Sequence, residues 1–232
     1  MFLLTGRGII APVCGRYVLA SPAETIAEHF HLLALPAYAP RYNIAPTQDA
    51  LVVRATVAGA REAVLLRWGL IPFWAKEPSI GNRMINARAE GIAGKPAFRT
   101  PFRRRRCLVP ADGFYEWQRV ASGRKQPYLV RLPSRRPFAM AGLWDLWRPG
   151  EGDAIATFTI ITTAANDALR AIHDRMPVLV APADYGEWLA SPDPSALLEP
   201  WRGEALETVP VGVRVNDVRN DDPALLEPAP GV

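Results

Sequence analysis

Cysteine, histidine and long apolar runs are all scarce in this chain of 232 residues. It has two cysteines, Cys14 and Cys107, and three histidines. Two cysteines cannot supply a disulfide framework, and no CxxC pair or Cys/His cluster has the spacing of metal ligands. We therefore expect no metal and no cofactor, and we assign any function of a cysteine to thiol chemistry in a reducing compartment.

Signals for export and for membrane insertion are missing as well. No apolar run is long enough to span a bilayer. The opening MFLLTGRGIIAPV is interrupted by Arg7, has no basic stretch ahead of its apolar part and lacks a small-x-small cleavage site, which argues against a secretory signal. These absences predict a cytoplasmic protein without membrane contacts.

The chain does contain enough apolar material for one large domain, with 49% hydrophobic residues and a formal net charge of +4. Its 23 prolines are scattered between the expected elements, and no internal repeat or linker-like block divides it. We expect one domain over residues 14–232, acting as a monomer.

Short strand-like runs with glycine or proline between most of them dominate the chain from residue 50 onwards. They are ALVVRATV, EAVLLRWGLI, RMINARAE, CLVPADGFYEWQRV, PYLVRL, PFAMAGLWDLW, ATFTIITTA and ETVPVGVRV. Helical patterns occur in NDALRAIH, in PADYGEWLA and in SPAETIAEHFHLLA, where Ser21 is positioned to cap the helix and Glu24 to complete a capping box. The pattern predicts an α+β fold with a mainly antiparallel sheet or barrel and a few helices.

Two polar stretches have the residue types of a reaction site. In MINARAE, strand alternation places Asn86, Arg88 and Glu90 on one face, either as a solvent-facing edge or as the wall of a cleft in which Arg88 binds a phosphate. In GFYEW, Glu116 lies among aromatic residues. Their bulk would raise its pKa by desolvation and suit it to general acid catalysis, whereas an exposed strand glutamate is the alternative.

A third stretch, AIHDRMP, places His173 near a helix end, followed by Arg175. The histidine serves either to cap the helix or to carry protons near neutral pH, with Arg175 close enough to hold an anion.

Exposed rings and arginines suggest contact with nucleic acid. WGLIPFWAKEP places Phe73 and Trp74 in a proline-bounded loop, where they are free to stack on unpaired bases. FRRRRC groups four arginines at residues 103–106, which suits phosphates but also fits a solvated loop.

Nine segments, in order, resemble the SOS response-associated peptidase family, whose members are also called abasic-site processing proteins. They are CGRY, RYNIAPTQ, RWGLIPFWA, INARAE, PADGFYEW, KQPY, AGLWD, TIITTAAN and IHDRMPVLV, and together they span roughly residues 14 to 220. The resemblance implies an α+β fold around a small barrel, with a central cleft that binds single-stranded DNA containing abasic sites. It also implies that an N-terminal cysteine captures the abasic aldehyde as a thiazolidine.

The resemblance also implies roles for individual residues. Catalysis would use Cys14 as nucleophile, Asn86 to position the aldehyde, Glu116 as general acid and His173 as catalytic histidine. Contacts with DNA would come from phosphate-binding, stacking and lining residues, namely Arg16, Arg88, Arg175, Phe73, Trp74, Pro46, Trp117 and Thr162.

The required chemistry conflicts with the position of Cys14, because a Schiff base needs a free α-amine and Val13 makes that nitrogen an amide. We therefore expect residues 1–13 to be absent from the active protein. Either translation starts at the Val13 codon, which we favour, or the site removes the segment itself.

Two other functions remain open: a thiol hydrolase that uses Cys14, His173 and Glu116 or Asn86 on peptides, and a non-covalent binder of single strands.

Overall fold

The computed structural model describes residues 14–119, 123–150 and 152–229, and the structural statements below refer to these ranges. The expected removal of residues 1–13 falls outside them. The strands are β1 Arg16–Leu19, β2 Arg41–Ile44, β3 Asp49–Ala55, β4 Arg61–Trp68, β5 Asn86–Arg88, β6 Arg106–Ala111, β7 Gly113–Arg119, β8 Lys125–Arg131, β9 Phe138–Trp147, β10 Ile155–Ala164, β11 Arg175–Pro177, β12 Leu179–Val180 and β13 Glu207–Pro210. The α-helices are α1 Ala23–Phe30, α2 Arg99–Arg104, α3 Asp167–Arg170 and α4 Tyr185–Ala190.

Five strands close into a small barrel. Their order is β10–β4–β3–β6–β9, and β9 pairs back onto β10. All these pairings are antiparallel except that of β4 with β10. Apolar side chains such as Val52, Leu108 and Ile160 are fully buried. The expected α+β fold, with a mainly antiparallel sheet closing into a barrel, is confirmed.

A second sheet of five antiparallel strands lies beside the barrel, in the order β13–β8–β7–β1–β2. Two short strands extend the barrel sheet at β10, where β5 pairs in parallel and β11 antiparallel. Because a parallel pair needs a long crossover, residues far apart in sequence meet at β10. This arrangement brings the MINARAE, GFYEW and HDRMP segments together.

Two local expectations are wrong. Ser21 does not cap α1, because its hydroxyl and its backbone N–H donate to the carboxylate of Asp112, at 2.6 and 2.7 Å. The helix begins at Ala23 without a side-chain cap. The run at residues 107–120 is not one strand, since the chain turns at Asp112 between β6 and β7. One aspartate therefore fixes both the turn and the start of the helix.

Arg106 is neither solvated nor available to a phosphate, contrary to both interpretations of the arginine run. It is 5% exposed, and its guanidinium donates to the carbonyls of Phe102, Trp188, Leu189 and Ser191. These carbonyls lie at the carboxyl-terminal ends of α2 and α4, where backbone acceptors lack partners within the helix. Arg106 thus binds two helices to the barrel.

None of the helices within residues 14–119, 123–150 and 152–229 is long and apolar enough to cross a bilayer.

Candidate functional site

The backbone nitrogen of Cys14 lies against a buried carboxyl group. Cys14 precedes β1 and has a φ of +46°, in the left-handed region that residues other than glycine seldom adopt. Its N–H donates to Oε1 of Glu116 at 2.6 Å, while its thiol lies 3.9 Å from the sulfur of Met140. The turn before β1 therefore directs this nitrogen, rather than the thiol, at the acid.

Glu116 lies on β7 and is 1% exposed. Burial raises its pKa to about 8, although the backbone N–H groups of Cys14 and Trp117 favour the ionised form. The expectation that its surroundings raise the pKa of Glu116 is confirmed, and the alternative of an exposed strand glutamate is wrong. Near neutral pH the carboxyl group largely retains its proton and can donate it.

The thiol of Cys14 is buried, and burial raises its pKa well above the ordinary value, with a further increase from the charge of Glu116. The thiol therefore remains protonated at neutral pH. A cysteine that attacks peptides needs the opposite environment, one that lowers the pKa and stabilises a thiolate.

His173 is half-buried, and its Nδ1 accepts the backbone N–H of Arg175 at 3.0 Å. The same nitrogen lies 3.0 Å from the carboxylate of Asp174, which would accept its proton if the ring were charged. Burial lowers the pKa of His173, as do the charges of Arg175 and Lys125, whereas Asp174 raises it. In the neutral ring, acceptance of the Arg175 N–H at Nδ1 leaves the proton on Nε2.

A cavity of about 290 Å³ joins these groups where the two sheets meet. It is lined by Gly15, Arg16, Pro46, Ile85, Glu116, Trp117, Lys125 and His173. Five residues predicted from the sequence are among them, from four separate segments of the chain: Arg16, Pro46, Glu116, Trp117 and His173. Cys14 adjoins the cavity through its bond to Glu116.

Asn86 begins β5, immediately after the cavity residue Ile85. Both polar atoms of its amide are buried, and neither finds a hydrogen-bond partner among the described residues. A buried amide in this condition is costly, and such groups commonly serve a ligand. Its position and its free donor and acceptor fit the predicted role of orienting a reacting group.

Arg88, Thr162 and Arg175 form a second cluster on neighbouring strands. Thr162 pairs with Arg88 across β10 and β5, and its carbonyl accepts from the guanidinium of Arg175 at 2.6 Å. Glu90 holds the same guanidinium with both carboxylate oxygens, at 2.8 and 3.0 Å. Glu90 lies in the turn after β5, so its expected place on the strand face is wrong. Arg88 is exposed.

The rings of Phe73 and Trp74 are 58% and 48% exposed, as expected for a proline-bounded loop. The loop itself is anchored. Phe73 donates its backbone N–H to Asp145 at 3.3 Å, and Trp147 donates its indole N–H to the carbonyl of Ala75 at 2.7 Å. The rings are therefore presented on a fixed backbone.

Sequence reasoning missed Lys125 and the carboxyl-terminal segment. Lys125 lies within the KQPY segment, but only the fold shows that it lines the cavity. Asn216 accepts the indole N–H of Trp117 at 2.8 Å, and the carbonyl of Val215 accepts from Arg16 at 2.9 Å. No local pattern reveals these contacts, because the partners are separated by 99 and 199 residues.

In the part of the chain that the structure describes, no group of three or more His, Cys, Asp or Glu side chains could hold a metal ion.

Comparisons with known proteins agree on one family. A family described as SOS response associated peptidase (SRAP) matches residues 13–218. The chain is 42% identical to the abasic site processing protein YoqW of Bacillus subtilis, over 93% of this chain and 99% of that protein. It is 34% identical to the abasic site processing protein HMCES of Gallus gallus, over 82% of this chain and 67% of that protein. A crystal structure of a protein from Bacteroides thetaiotaomicron covers 93% of this chain and 100% of its own, with a TM-score of 0.82 and 26% identity.

The raised pKa of Glu116 predicts a specific dependence of stability on pH. An unfolded glutamate ionises near pH 4.5, whereas folded Glu116 retains its proton to about pH 8. Its contribution to stability is therefore fully present below about pH 4.5 and is lost as the pH rises to about 8. Glu116→Gln removes this pH-dependent loss. As the pH rises across that range, the free energy of unfolding of the variant should therefore increase relative to that of the unaltered chain by a few kcal/mol.

Urea unfolding at a series of pH values measures this difference in the free energy of unfolding. Glu28→Gln, on the exposed face of α1, is the control and should show no comparable change with pH. Parallel stability curves for the unaltered chain and Glu116→Gln would show that the pKa of Glu116 is not raised.

Proposed function

Because the chain belongs to the SOS response associated peptidase family, we propose that it processes abasic sites in single-stranded DNA by bonding covalently to them through Cys14. The observation that carries this proposal is the 2.6 Å contact between the Cys14 nitrogen and Glu116. An acid that holds the nitrogen of a cysteine suits imine chemistry with an aldehyde, since both steps of that chemistry move protons at nitrogen. The names of the two relatives above point to the same lesion.

The proposed reaction has three steps. Glu116 and His173 transfer the protons that open the cyclic deoxyribose to its aldehyde, while the amide of Asn86 orients the carbonyl. The α-amine of Cys14 then adds to the aldehyde, and loss of water gives an imine. The thiol adds to the imine carbon and passes its proton to the nitrogen, which closes a thiazolidine ring. Ring closure is fast because both nucleophiles belong to one residue.

Ring closure also protects the DNA strand. An open imine acidifies the neighbouring sugar carbon, so that a base can remove its proton and expel the 3′ phosphate. The ring removes the imine and stops this β-elimination. Impaired closure would therefore leave a residual lyase activity.

The reaction requires a chain that begins at Cys14, and we propose that residues 1–13 are absent from the active protein. An α-amine has a pKa of about 8, so a useful fraction is neutral at pH 7, whereas an amide nitrogen does not form an imine. The match to the family begins at residue 13, directly before Cys14. In that chain the α-amine would lie at the position where Glu116 now receives the N–H of Cys14.

The proposed DNA path follows the residues predicted from the sequence. Arg16 and Arg88 would hold phosphates on either side of the cavity, with Arg175 available once Glu90 releases it. Trp117 and Pro46 would contact the abasic nucleotide. The exposed rings of Phe73 and Trp74 would stack on the neighbouring base and block continuation of a duplex.

Peptide hydrolysis, which the family description suggests, fits the site less well. It needs a cysteine thiolate, and burial of Cys14 keeps the thiol protonated. A non-covalent binder would need neither the buried acid nor the cysteine beside it.

Incubation with abasic single-stranded DNA, followed by a denaturing gel, tests the proposal. A chain beginning at Cys14 should form a heat-stable adduct, and Cys107→Ser should leave it intact, because Cys107 is a fully buried core residue on β6. Cys14→Ala should abolish the thiazolidine. Binding should persist in that variant, since phosphate and stacking contacts come from other residues.

Three outcomes distinguish the candidate functions. A heat-stable DNA adduct formed by the Cys14→Ala chain would contradict the aminothiol mechanism. Cleavage of a peptide substrate without any DNA adduct would indicate the hydrolase. Binding to abasic and intact DNA without an adduct would indicate the non-covalent binder.

The ion pair between Glu90 and Arg175 predicts that Glu90 competes with DNA. Its carboxylate occupies the bidentate position that a phosphate would take on this guanidinium. Glu90→Gln should strengthen binding to abasic single strands several-fold. It should also steepen the slope of the logarithm of the association constant against the logarithm of salt concentration. The increase should be up to about 0.7, the increment for one added phosphate contact on a single strand.

Fluorescence anisotropy across a salt series measures both quantities. Glu187→Gln, on the exposed face of α4, removes the same charge elsewhere and is the control. Equal affinities for the unaltered chain and Glu90→Gln, with equal salt slopes, would exclude Arg175 from the DNA path.

A further inference from the structure

The two groups that transfer protons in the proposed reaction belong to different parts of the fold. Glu116 lies on β7, in the second sheet. His173 lies in the connection between α3 and β11, and β11 pairs with the barrel strand β10. Both residues line the same cavity. A contact that joins the two parts therefore sets the geometry of proton transfer.

Gln118 makes a contact of this kind. It follows Glu116 by two residues on β7, where regular pairing with β8 maintains the alternation of side chains, so the two residues share one face of the sheet. Its amide nitrogen Nε2 donates to the carbonyl of Ala171 at 2.8 Å. Ala171 directly follows α3 and precedes His173 by two residues. The strand that carries the acid thus bonds to the connection that carries the histidine.

Backbone bonds tie this connection to the barrel side of the cavity. α3 is a single turn of four residues, and the last carbonyls of a helix lack partners within it. The N–H of His173 donates to the carbonyl of Leu169 at 2.9 Å, and the carbonyl of Asp174 accepts from Ala165, directly after β10, at 2.9 Å. Gln118 adds a bond from the opposite side and satisfies one of the carbonyls at the end of α3.

A second bond orients the amide of Gln118. Tyr128 lies on β8 opposite Glu116, and its hydroxyl donates to Oε1 of Gln118 at 3.2 Å. An amide whose oxygen accepts from one partner presents its nitrogen to another. Bonds at both ends therefore select one rotamer of a flexible side chain and direct its nitrogen at Ala171.

We propose that Gln118 is a positioning residue, which holds the connection that carries His173 in a fixed place relative to Glu116. This inference rests on the proposed function. Gln118 acts through His173, so its loss slows the reaction of DNA that is already bound. The affinity for DNA is not affected, because phosphate and stacking contacts come from other residues.

Single-turnover crosslinking tests this separation of rate from affinity. A chain that begins at Cys14 would be added in increasing excess to abasic single-stranded DNA, which gives a maximal rate constant and a half-saturating concentration. Gln118→Met keeps the length of the side chain and removes both of its hydrogen bonds. The maximal rate constant should fall roughly tenfold, less than the typical 10²–10⁴-fold contribution of a general acid or base. The half-saturating concentration should change by less than about twofold, because Gln118 carries no charge that binds a phosphate.

The effect should depend on His173. In the His173→Ala chain, Gln118→Met should cause little further loss, because the residue through which Gln118 acts is gone. Tyr128→Phe should lower the maximal rate constant less than Gln118→Met does. Ser134→Ala is the control, since it removes an exposed side-chain bond to Glu204, of 2.9 Å, at the other end of β8. It should leave both constants unchanged.

Titration of the His173 ring by NMR tests its position directly. The chain has three histidines, and the signal that His173→Ala removes identifies this ring. Burial lowers the pKa of His173, so a connection released by Gln118→Met should expose the ring to more water and raise the pKa towards the ordinary value. The charged groups that face the ring are Asp174, Arg175 and Lys125. All three are retained in the variant, and His29 on α1 is the internal control.

Four outcomes would overturn the proposal. They are an unchanged maximal rate constant, a raised half-saturating concentration alone, an equal fall of the rate constant in the His173→Ala chain, and an unchanged titration of His173 in the Gln118→Met chain. Failure of the proposed function is visible separately, as the absence of an adduct from the unaltered chain that begins at Cys14. The titration needs no DNA and tests the position of His173 in either case.

Discussion

The hydrogen bond from the Cys14 nitrogen to Glu116 is the interaction on which the rest of the site depends. Glu116 is held on a central strand of its sheet, deep enough for burial to raise its pKa to about 8. Cys14 reaches it only because the backbone turns with a positive φ immediately before β1. The thiol is directed into the apolar interior and remains protonated, while the nitrogen receives the polar contact. These different surroundings of the nitrogen and the thiol suit a reaction in which the nitrogen attacks first and the sulfur second. They differ from the surroundings that stabilise a thiolate nucleophile.

The fold holds this pair in place from both sides. The barrel sheet supplies β5 and β10, which position Asn86, and β11, which follows His173. The second sheet supplies β1 and β7. The carboxyl-terminal segment then fixes the edge of the cavity, since Asn216 orients Trp117 and the carbonyl of Val215 orients Arg16. Asn43 donates to three carbonyls of that segment, so its side chain holds the segment against β2.

The sequence predicted the fold class, the environment of Glu116 and the exposure of the ring loop, because each depends on local composition: alternating strands, aromatic neighbours and flanking prolines. It also identified five residues that line one cavity. Glu116 and His173 followed from their own segments, whereas Arg16, Pro46 and Trp117 followed only from the ordered family motifs. Ser21, Glu90 and Arg106 were misplaced because tertiary partners decide their roles. Asp112 accepts from Ser21, Arg175 binds Glu90 after the strand has ended, and the ends of two helices bind Arg106. Lys125 and Asn216 were missed for the same reason, since their places in the site exist only after distant strands have paired.

The reacting nitrogen, in the proposed mechanism, is the free α-amine of Cys14. The direct measurement compares a chain that begins at Cys14 with one that retains Val13, each incubated with abasic single-stranded DNA, denatured and weighed intact by mass spectrometry. Only the chain that begins at Cys14 should give a complex, with the summed mass of protein and DNA less one water. The same complex from the chain that retains Val13 would contradict the mechanism, because an amide nitrogen cannot form the imine.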